Sequence, residues 1–409
     1  MNHKKLYFLV IVICCVACKK DKQQLSFDFK SGPWRGVLEV QDHKELPFLF
    51  EVMDDQSLTI FNAEESIEVD KVIPHKDSIQ IKFPVFEGYI EGKFIDSTLI
   101  LGNFINQSLN RVVPFKAQYG QQDRFKISEK PLHNITGAWE TVFKEDTTKE
   151  RYNAKGIFKQ NGNIVTGTFR TTTGDYRYLE GVLNGNRLQL STFDGAHAFL
   201  FEANVTENKI EGYFYSGNHS KTSFTAKRNE DFELPKEDSL TFLKEGYDTL
   251  SFSFPDTNGN MISLEDDQFK NNVVIIQIMG TWCPNCMDET KYYVDFYNQN
   301  KGKDIKFVAL AFEYAKTSDK AFQSIKRLQE KLKVEYPILL AQYGTSDKQK
   351  AQEKLPMLNH VLSYPTTIFL DKKGKVRKIH TGFNGPATGT PYKKFKTEFE
   401  QFVGQLLDE

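Results

Sequence analysis

The sequence predicts a multidomain protein in which an all-β N-terminal half precedes an α/β domain. The chain has 409 residues, more than one hydrophobic core usually organises, so two or three domains are expected. Up to about residue 228, short apolar and polar runs alternate between Gly, Asn and Asp turns, which is typical of antiparallel strands with one buried face. Beyond residue 240, apolar runs alternate with helical patterns, which indicates an α/β domain with a mixed sheet.

The β half contains an internal similarity at a period of roughly 105 residues, which is the size of a whole domain. We therefore expect two sandwich or barrel-like modules, at residues 31–127 and 128–229. A single larger β domain with recurring strand patterns is the alternative. The matching segments are Gly32-Pro33-Trp34-Arg35 with Gly137-Ala138-Trp139-Glu140, Ile90-Glu91-Gly92-Lys93-Phe94 with Ile210-Glu211-Gly212-Tyr213-Phe214, and Phe115-Lys116-Ala117 with Phe224-Thr225-Ala226.

A charged stretch at residues 230–240 reads as a linker to the α/β domain at 241–409. Within that domain, the apolar run 273–279 predicts a strand buried on both faces, and a helix is expected from residue 286 to about 300. A strand, a helix and three further strands follow, and the last helix has one apolar face. Their predicted ranges are 305–312, 318–333, 336–340, 366–370 and 375–380.

The N-terminus has the order of a secretory signal: a charged start, an apolar stretch and small residues, over residues 1–17. Its end, Cys15-Val16-Ala17-Cys18, resembles the lipobox of bacterial lipoproteins. The resemblance implies that Cys18 is acylated and holds the protein on a lipid bilayer, with residues 18–30 as a tether. A plain signal peptide cut near Ala17 is the alternative. We expect a lipid-anchored protein of the cell envelope, on the periplasmic side or in the outer membrane.

Charge and cysteine counts narrow the function. The formal net charge of −1 gives no electrostatic reason to expect nucleic acid as a partner. Three of the five cysteines lie in the signal or at the anchor, which leaves Cys283 and Cys286. Two cysteines kept two residues apart in a secreted protein indicate redox chemistry or a metal. A zinc site needs four ligands, and the sequence offers no second cysteine pair or suitably spaced histidines, so redox chemistry is favoured.

The spacing of Cys283 and Cys286 at a strand-to-helix junction allows a disulfide within one helical turn. At the helix N-terminus, free N–H groups and the helix dipole lower a thiol pKa, so Cys283 is the predicted nucleophile. Cys286, one turn deeper, would resolve the mixed disulfide by attacking Cys283. No separate cofactor is needed, because the Cys283–Cys286 disulfide is itself the redox centre, and no metal is expected.

The run from Val273 to Cys286, ending in Trp282-Cys283-Pro284-Asn285-Cys286, resembles the active-site segment of the thioredoxin superfamily, and more narrowly of TlpA/ResA-type extracytoplasmic disulfide reductases. The resemblance covers about residues 240–409 and implies a thioredoxin-like fold there. Ser363-Tyr364-Pro365-Thr366-Thr367 is similar to the cis-proline loop of that family. It implies a cis Pro365 facing the cysteines, with the Tyr364 backbone free to pair with a substrate strand. Trp282 and Pro284 would support the site, although Trp282 could equally be core packing.

Two further positions distinguish the TlpA/ResA type from thioredoxin itself. Gln277 stands where thioredoxin has a buried aspartate beneath the cysteines. Glu289 lies three residues after Cys286 on the same helical face, at the position of a glutamate that helps move protons in ResA-type proteins. A carboxylate there could accept the proton of Cys286. The alternative is a surface glutamate, in which case the neighbouring Asp288 is the residue to consider.

The leading hypothesis is an enzyme that reduces or exchanges disulfides of secreted proteins and is re-reduced by a membrane thiol electron donor. A disulfide oxidase or isomerase would use the same pair in the opposite direction, and the sequence does not fix the direction. A thiol peroxidase on the same fold is a third hypothesis. From a different class comes a binding protein whose β half captures a ligand or partner, although that half shows aromatic strands and no catalytic cluster.

Overall fold

The computed structural model describes residues 29–145 and 150–409, so the predicted signal peptide and Cys18 lie outside the described residues. The expected order is found, with two β units followed by an α/β unit. Within the described ranges, no helix is both long and apolar enough to cross a bilayer.

The first β unit is a nine-stranded antiparallel meander that curls until its first and last strands pair. Its sheet order is β4-β3-β2-β1-β9-β8-β7-β6-β5, so the sheet stays open only between β4 and β5, which are successive in the chain. The strands are β1 (Gly32–Glu39), β2 (Glu45–Val52), β3 (Leu58–Asn62), β4 (Glu65–Val69), β5 (Lys71–His75), β6 (Ser78–Lys82), β7 (Tyr89–Asp96), β8 (Leu99–Asn106) and β9 (Arg111–Tyr119).

The second β unit is a closed antiparallel barrel. Pairing of β11 with β12 closes a ring of eight strands, and the short β13 forms a hairpin with β12 at the rim. An eight-stranded barrel is just wide enough to be filled by side chains, and Trp139 with a set of Phe rings fills this one. The strands are β10 (Gly137–Glu145), β11 (Arg151–Asn161), β12 (Ile164–Thr171), β13 (Gly174–Asp175), β14 (Leu179–Asn184), β15 (Arg187–Phe193), β16 (Ala198–Val205), β17 (Lys209–Ser216) and β18 (Ser220–Arg228).

The two β units begin in the same way. Gly32 and Gly137 have φ values of 116° and 120°, a region that side chains rarely allow. Two residues later, Trp34 and Trp139 are fully buried, and each indole N–H donates to the carbonyl four residues earlier at 2.9 Å. The pairing of the first strand of each unit with its last strand also corresponds, since Gly36 of β1 faces Ala117 of β9 and Thr141 of β10 faces Ala226 of β18.

One of the three sequence matches is out of register. Ile210–Phe214 lies on the next-to-last strand, β17, whereas Ile90–Phe94 lies on β7, two strands before the last. Pairing with the last strand gives the correct equivalence, because Gly102 of β8 faces Phe115 and Gly212 of β17 faces Phe224. This five-residue match is misleading because neighbouring strands of one sheet share the same alternation of buried and exposed residues.

The α/β unit has a five-stranded sheet of order β23-β22-β21-β24-β25, with β21, β22 and β23 parallel and the last two strands antiparallel. Every residue of the central β21 is buried, as its apolar run predicts. A hairpin of β19 (Ser253–Pro255) and β20 (Met261–Ser263) precedes it. The sheet strands are β21 (Val273–Met279), β22 (Ile305–Phe312), β23 (Ile338–Gln342), β24 (Thr366–Leu370) and β25 (Val376–Thr381), and the helices are α1 (Pro284–Gln299), α2 (Ser318–Leu332), α3 (Lys348–Lys354) and α4 (Thr390–Asp408).

The three units are packed into one body. A continuous apolar core joins the first sheet, the outer face of the barrel and the α/β unit, whereas the barrel interior forms a second core. Phe193 of the barrel, for example, packs at 4.6 Å between ring centroids on Phe48 of the first sheet. The β half therefore lies against the unit that carries the cysteines.

Candidate active site

The two cysteines lie where β21 passes into α1. Cys283 is the N-cap of α1 and Pro284 is its first residue, a position where a missing N–H costs nothing. The two cysteines form a disulfide. The backbone N–H of Cys286 donates to Sγ of Cys283 at 3.1 Å, a bond that favours a thiolate there. Cys283 is 7% exposed and Cys286 is fully buried, so Cys283 is the more accessible of the two sulfurs.

The loop before β24 faces the cysteines, as the resemblance implies. The Tyr364–Pro365 peptide bond is cis. Sγ of Cys283 lies 3.4 Å from the carbonyl oxygen of Tyr364. Trp282 lies beside the pair, with its indole N–H donating to the carbonyl of Phe312 at 2.9 Å and its ring 5.6 Å from that of Tyr364. Trp282 is therefore both anchored to the sheet and part of the wall around Cys283.

Glu289 is fully buried below Cys286, so the surface-glutamate alternative is wrong. Its carboxyl group accepts hydrogen bonds from Gln277 at 2.8 Å, Thr367 at 2.9 Å and Tyr293 at 3.1 Å. Gln277 also donates to the carbonyl of Cys286 at 3.3 Å, which ties the carboxyl group to the cysteine turn. Burial raises the pKa of Glu289 to about 7, against the lowering effect of those hydrogen bonds.

A second buried carboxyl group lies on the other side of the motif. Glu313 follows β22 and accepts hydrogen bonds from the N–H of Thr281 at 2.7 Å and from its hydroxyl at 2.8 Å. Burial raises the pKa of Glu313 to about 7. The sequence pattern did not single out Glu313. The only signal was an acidic residue directly after a strand buried on both faces.

The barrel contributes a buried ionic cluster beside α1. Arg177, 1% exposed, pairs with Asp288 of α1, with Glu65 of the first sheet and with Asp194 of the barrel. Burial opposes the ionised form of Asp194, but His197 and Arg177 lower its pKa to about 2. Asp288, the alternative to Glu289, therefore has a structural partner in the barrel. The residues of this cluster come from three units, so no local sequence pattern could have indicated it.

A cleft of about 220 Å³ leads to Cys283 between the barrel and the α/β unit. Residues of the barrel form one wall and the cysteine motif with the cis-proline loop forms the other. The expectation that the β half carries only aromatic strands is thus incomplete, because it also shapes the entrance to the cysteines. The lining residues from the barrel are Thr171, Thr173, Gly174, Asp175, Tyr176, His197 and Phe199.

No group of three or more His, Cys, Asp or Glu side chains in ranges 29–145 and 150–409 is arranged to hold a metal ion. The disulfide is flanked by two buried carboxyl groups, those of Glu289 and Glu313.

The α/β unit is similar to known proteins. Residues 244–393 match the Redoxin family. The thiol-disulfide oxidoreductase ResA of Bacillus subtilis is 29% identical over 142 residues, which are 34% of this chain and 69% of ResA. The thioredoxin-like protein YneN of the same organism is 28% identical over 140 residues, 34% of this chain and 73% of YneN.

Two solved structures each resemble part of the chain. A thiol-disulfide oxidoreductase from Bacteroides fragilis matches 36% of this chain and 99% of its own length, with 19% identity and a TM-score of 0.27. A thiol-disulfide isomerase from Corynebacterium glutamicum matches 41% of this chain and 99% of its own, with 14% identity and a TM-score of 0.32. Residues 244–393 therefore form a Redoxin-family domain that is similar to the thiol-disulfide oxidoreductases of the ResA type.

Proposed function

We propose that this thiol-disulfide oxidoreductase is anchored in the cell envelope and reduces or exchanges disulfides of secreted proteins through Cys283 and Cys286. The observation that carries the proposal is the arrangement of the two sulfurs. Cys283 caps α1 at the end of an open cleft, beside the cis-proline loop, and Cys286 lies fully buried behind it. One sulfur is placed to meet a substrate and the other to release it.

The reaction proceeds in two exchanges that balance. The thiolate of Cys283 attacks one sulfur of the substrate disulfide, forms a mixed disulfide and releases the other sulfur as a thiolate. The thiolate of Cys286 then attacks Sγ of Cys283, which forms the Cys283–Cys286 disulfide and releases the second substrate thiolate. Two electrons pass from the enzyme dithiol to the substrate. A membrane dithiol donor returns them by the same exchange in reverse.

Glu289 is the candidate proton acceptor for the second exchange. Cys286 is a buried thiol, and burial in apolar surroundings disfavours its thiolate. A carboxyl group with a pKa of about 7 is suited to accept a proton near neutral pH. The hydrogen bond from Gln277 holds Glu289 beneath the turn that carries Cys286, so Gln277 is a positioning residue.

The roles of the two cysteines are tested by trapping. The Cys286→Ser variant should accumulate mixed disulfides with envelope proteins, because nothing resolves the bond to Cys283. The Cys283→Ser variant is the matched control and should trap nothing while losing all turnover. Covalent partners are read by non-reducing gel electrophoresis and mass spectrometry. Recovery of equal amounts of partner from both variants would contradict the assigned roles.

The direction of electron flow is tested by the reduction potential of the Cys283–Cys286 pair. A potential near or below that of the glutathione pool supports a reductase, because the dithiol then gives up electrons readily. A strongly oxidising potential would sink the reductase assignment and support a disulfide oxidase or isomerase. The measurement is an equilibrium titration against glutathione, read by alkylation of the free thiols.

Membrane anchoring is tested at Cys18. The Cys15-Val16-Ala17-Cys18 segment supports acylation, and one acylated residue carrying more than one chain is enough for stable attachment. Cys18→Ala should abolish metabolic labelling with palmitate. Palmitate labelling that persists in Cys18→Ala would overturn the proposed anchor.

A further inference from the structure

The hairpin at residues 171–175, where β12 turns into β13, lines the cleft that leads to Cys283. Thr172 and Thr173 form its two-residue tip, and Thr171 faces Gly174 in the ladder. The hydroxyl of Thr171 donates to the carbonyl of Gly174 at 2.9 Å and accepts from the N–H of Thr173 at 3.2 Å. The hairpin is therefore braced by its own side chain and holds a defined shape.

This hairpin contacts three segments that surround Cys283. From the cysteine motif, Asn285 donates to the carbonyl of Asp175 at 3.1 Å. From the cis-proline loop, Ser363 donates to the carbonyl of Thr173 at 2.9 Å and is only 1% exposed. The third segment follows β25 and contains Gly382 and Gly385. The hairpin thus lies against the residue next to Tyr364, whose backbone is where an extended substrate strand would pair.

The hairpin and the segment after β25 are in close contact. A Cβ on Gly382 would lie 2.8 Å from the carbonyl carbon of Thr173 and 3.0 Å from the carbonyl oxygen of Thr172. Both are backbone atoms, so a side chain at position 382 would have to push the hairpin away. The N–H of Gly385 in the same segment donates to the carboxylate of Asp175 at 2.6 Å.

The hairpin is also held from behind. Arg177, two residues after Asp175, is the buried centre of the ionic cluster that includes Asp288 of α1. Because breaking a buried ion pair leaves an uncompensated charge, the chain around Arg177 is fixed to the helix that carries the cysteines. The hairpin is a rigid wall of the cleft and not a loosely attached flap.

The space that this wall leaves is small. The cleft of about 220 Å³ is below the roughly 300–1,000 Å³ of ordinary small-ligand pockets, and Cys283 is 7% exposed at its end. A disulfide on the surface of a folded protein brings a broad surface with it, which the hairpin would meet before the sulfurs could align. A cysteine on a single extended segment brings only its own backbone.

We infer that the hairpin at residues 171–175 is a specificity element that admits disulfides carried on narrow, extended peptide segments and excludes those on folded surfaces. This inference rests on the proposed function and names its substrate class. The barrel thereby selects the substrate without taking part in the exchange of sulfurs.

The test displaces the hairpin from the redoxin side. In Gly382→Ala, the added methyl group crowds the backbone of Thr172 and Thr173 and displaces the hairpin from the segment after β25. Gly344→Ala is the matched control, since Gly344 has a φ of 84° against 78° for Gly382 and its added Cβ would meet nothing within 4 Å. Both full-length proteins are assayed with two probes, the disulfide of a short unstructured peptide and native insulin.

We expect the wild type and Gly344→Ala to reduce the peptide disulfide with a kcat/KM at least about tenfold above that for insulin. Gly382→Ala should raise the insulin value about tenfold and leave the peptide value within about twofold. An unchanged ratio of the two values in Gly382→Ala would overturn the inference. If the wild type reduces neither probe, the proposed function fails, and the inference is then judged by alkylation alone.

Alkylation tests the wall without any turnover. In the reduced wild type, Cys283 should react with N-ethylmaleimide much faster than with a polymer-linked maleimide, which carries the same reactive group, and Gly382→Ala should remove most of that difference. Equal discrimination in both proteins would overturn the inference. Should Gly382→Ala fail to fold, Gly174→Ala crowds the same contact from the hairpin side, because its Cβ would meet the Asn285 side chain and lie 3.3 Å from the backbone carbonyl oxygen of Phe383. Its control is Gly162→Ala, whose Cβ meets nothing within 4 Å.

Discussion

The buried carboxyl group of Glu289 should make the stability of the oxidised protein depend on pH in a way that Glu289→Gln removes. Burial raises the pKa of Glu289 from 4.5 to about 7. The folded protein therefore holds a proton that the unfolded chain releases, and stability falls as pH rises between these two values. Each pKa unit corresponds to about 1.4 kcal/mol, so the shift is worth about 3 kcal/mol. The contribution is complete below pH 4.5 and lost above about pH 7.

Glutamine keeps the shape of the side chain and cannot ionise. The free energy of unfolding of the wild type, minus that of Glu289→Gln, should thus decrease by about 3 kcal/mol between pH 4.5 and pH 7.5. Urea unfolding at a series of pH values measures it, with both cysteines oxidised. Glu330→Gln, at an exposed position on α2, is the control that shows how much of the pH dependence comes from the change in net charge alone. A difference that stays constant over this range would refute the reasoning, because Glu289 would then ionise alike in both states.

Four other substitutions test the interactions described above. Arg177→Met should lower the free energy of unfolding by about 3–5 kcal/mol, measured by urea unfolding, because it leaves the buried carboxylates of its partners uncompensated. Gln277→Leu removes a hydrogen bond that lowers the pKa of Glu289, so the pH midpoint of the resolving step should rise. Stopped-flow assays measure this midpoint, and an unchanged value would contradict the proposed effect of Gln277 on Glu289. Trp34→Phe and Trp139→Phe each remove one indole hydrogen bond, and each should lower the free energy of unfolding by about 2 kcal/mol, measured by thermal unfolding. Clearly different losses of stability would argue against equivalent β units.

The sequence was most informative where one local pattern determines one local structure. The apolar run of β21 allows only a strand buried on both faces, and a proline after the cysteine at its end starts a helix. The buried position of Glu289 also follows from helical spacing, because a residue three positions after Cys286 shares its face. The boundaries of these elements were predicted to within about two residues, as hydrogen-bond ends commonly vary.

The packing of segments that are far apart in the chain was not predictable in the same way. The ion pair between Arg177 and Asp288 joins residues that are 111 positions apart, and no periodicity relates them. Charged residues in a strand-rich region usually lie on a solvated face, and nothing in the sequence around Arg177 indicates that it is buried. The closure of the second β unit into a barrel depends on the pairing of β11 with β12, and alternation predicts strands without predicting which strands pair.

The ionic cluster around Arg177 has a consequence for engineering. Its carboxylates come from Glu65 in the first sheet, Asp194 in the barrel and Asp288 in the redoxin domain. A redoxin domain transplanted from a relative would have to bring an acidic residue at the position of Asp288, or it would bury one cation with too few anions. Chimeras should therefore be designed with these three carboxylates and Arg177 exchanged as a set, because the domain boundary in the chain is not the boundary of the interactions that hold the domain.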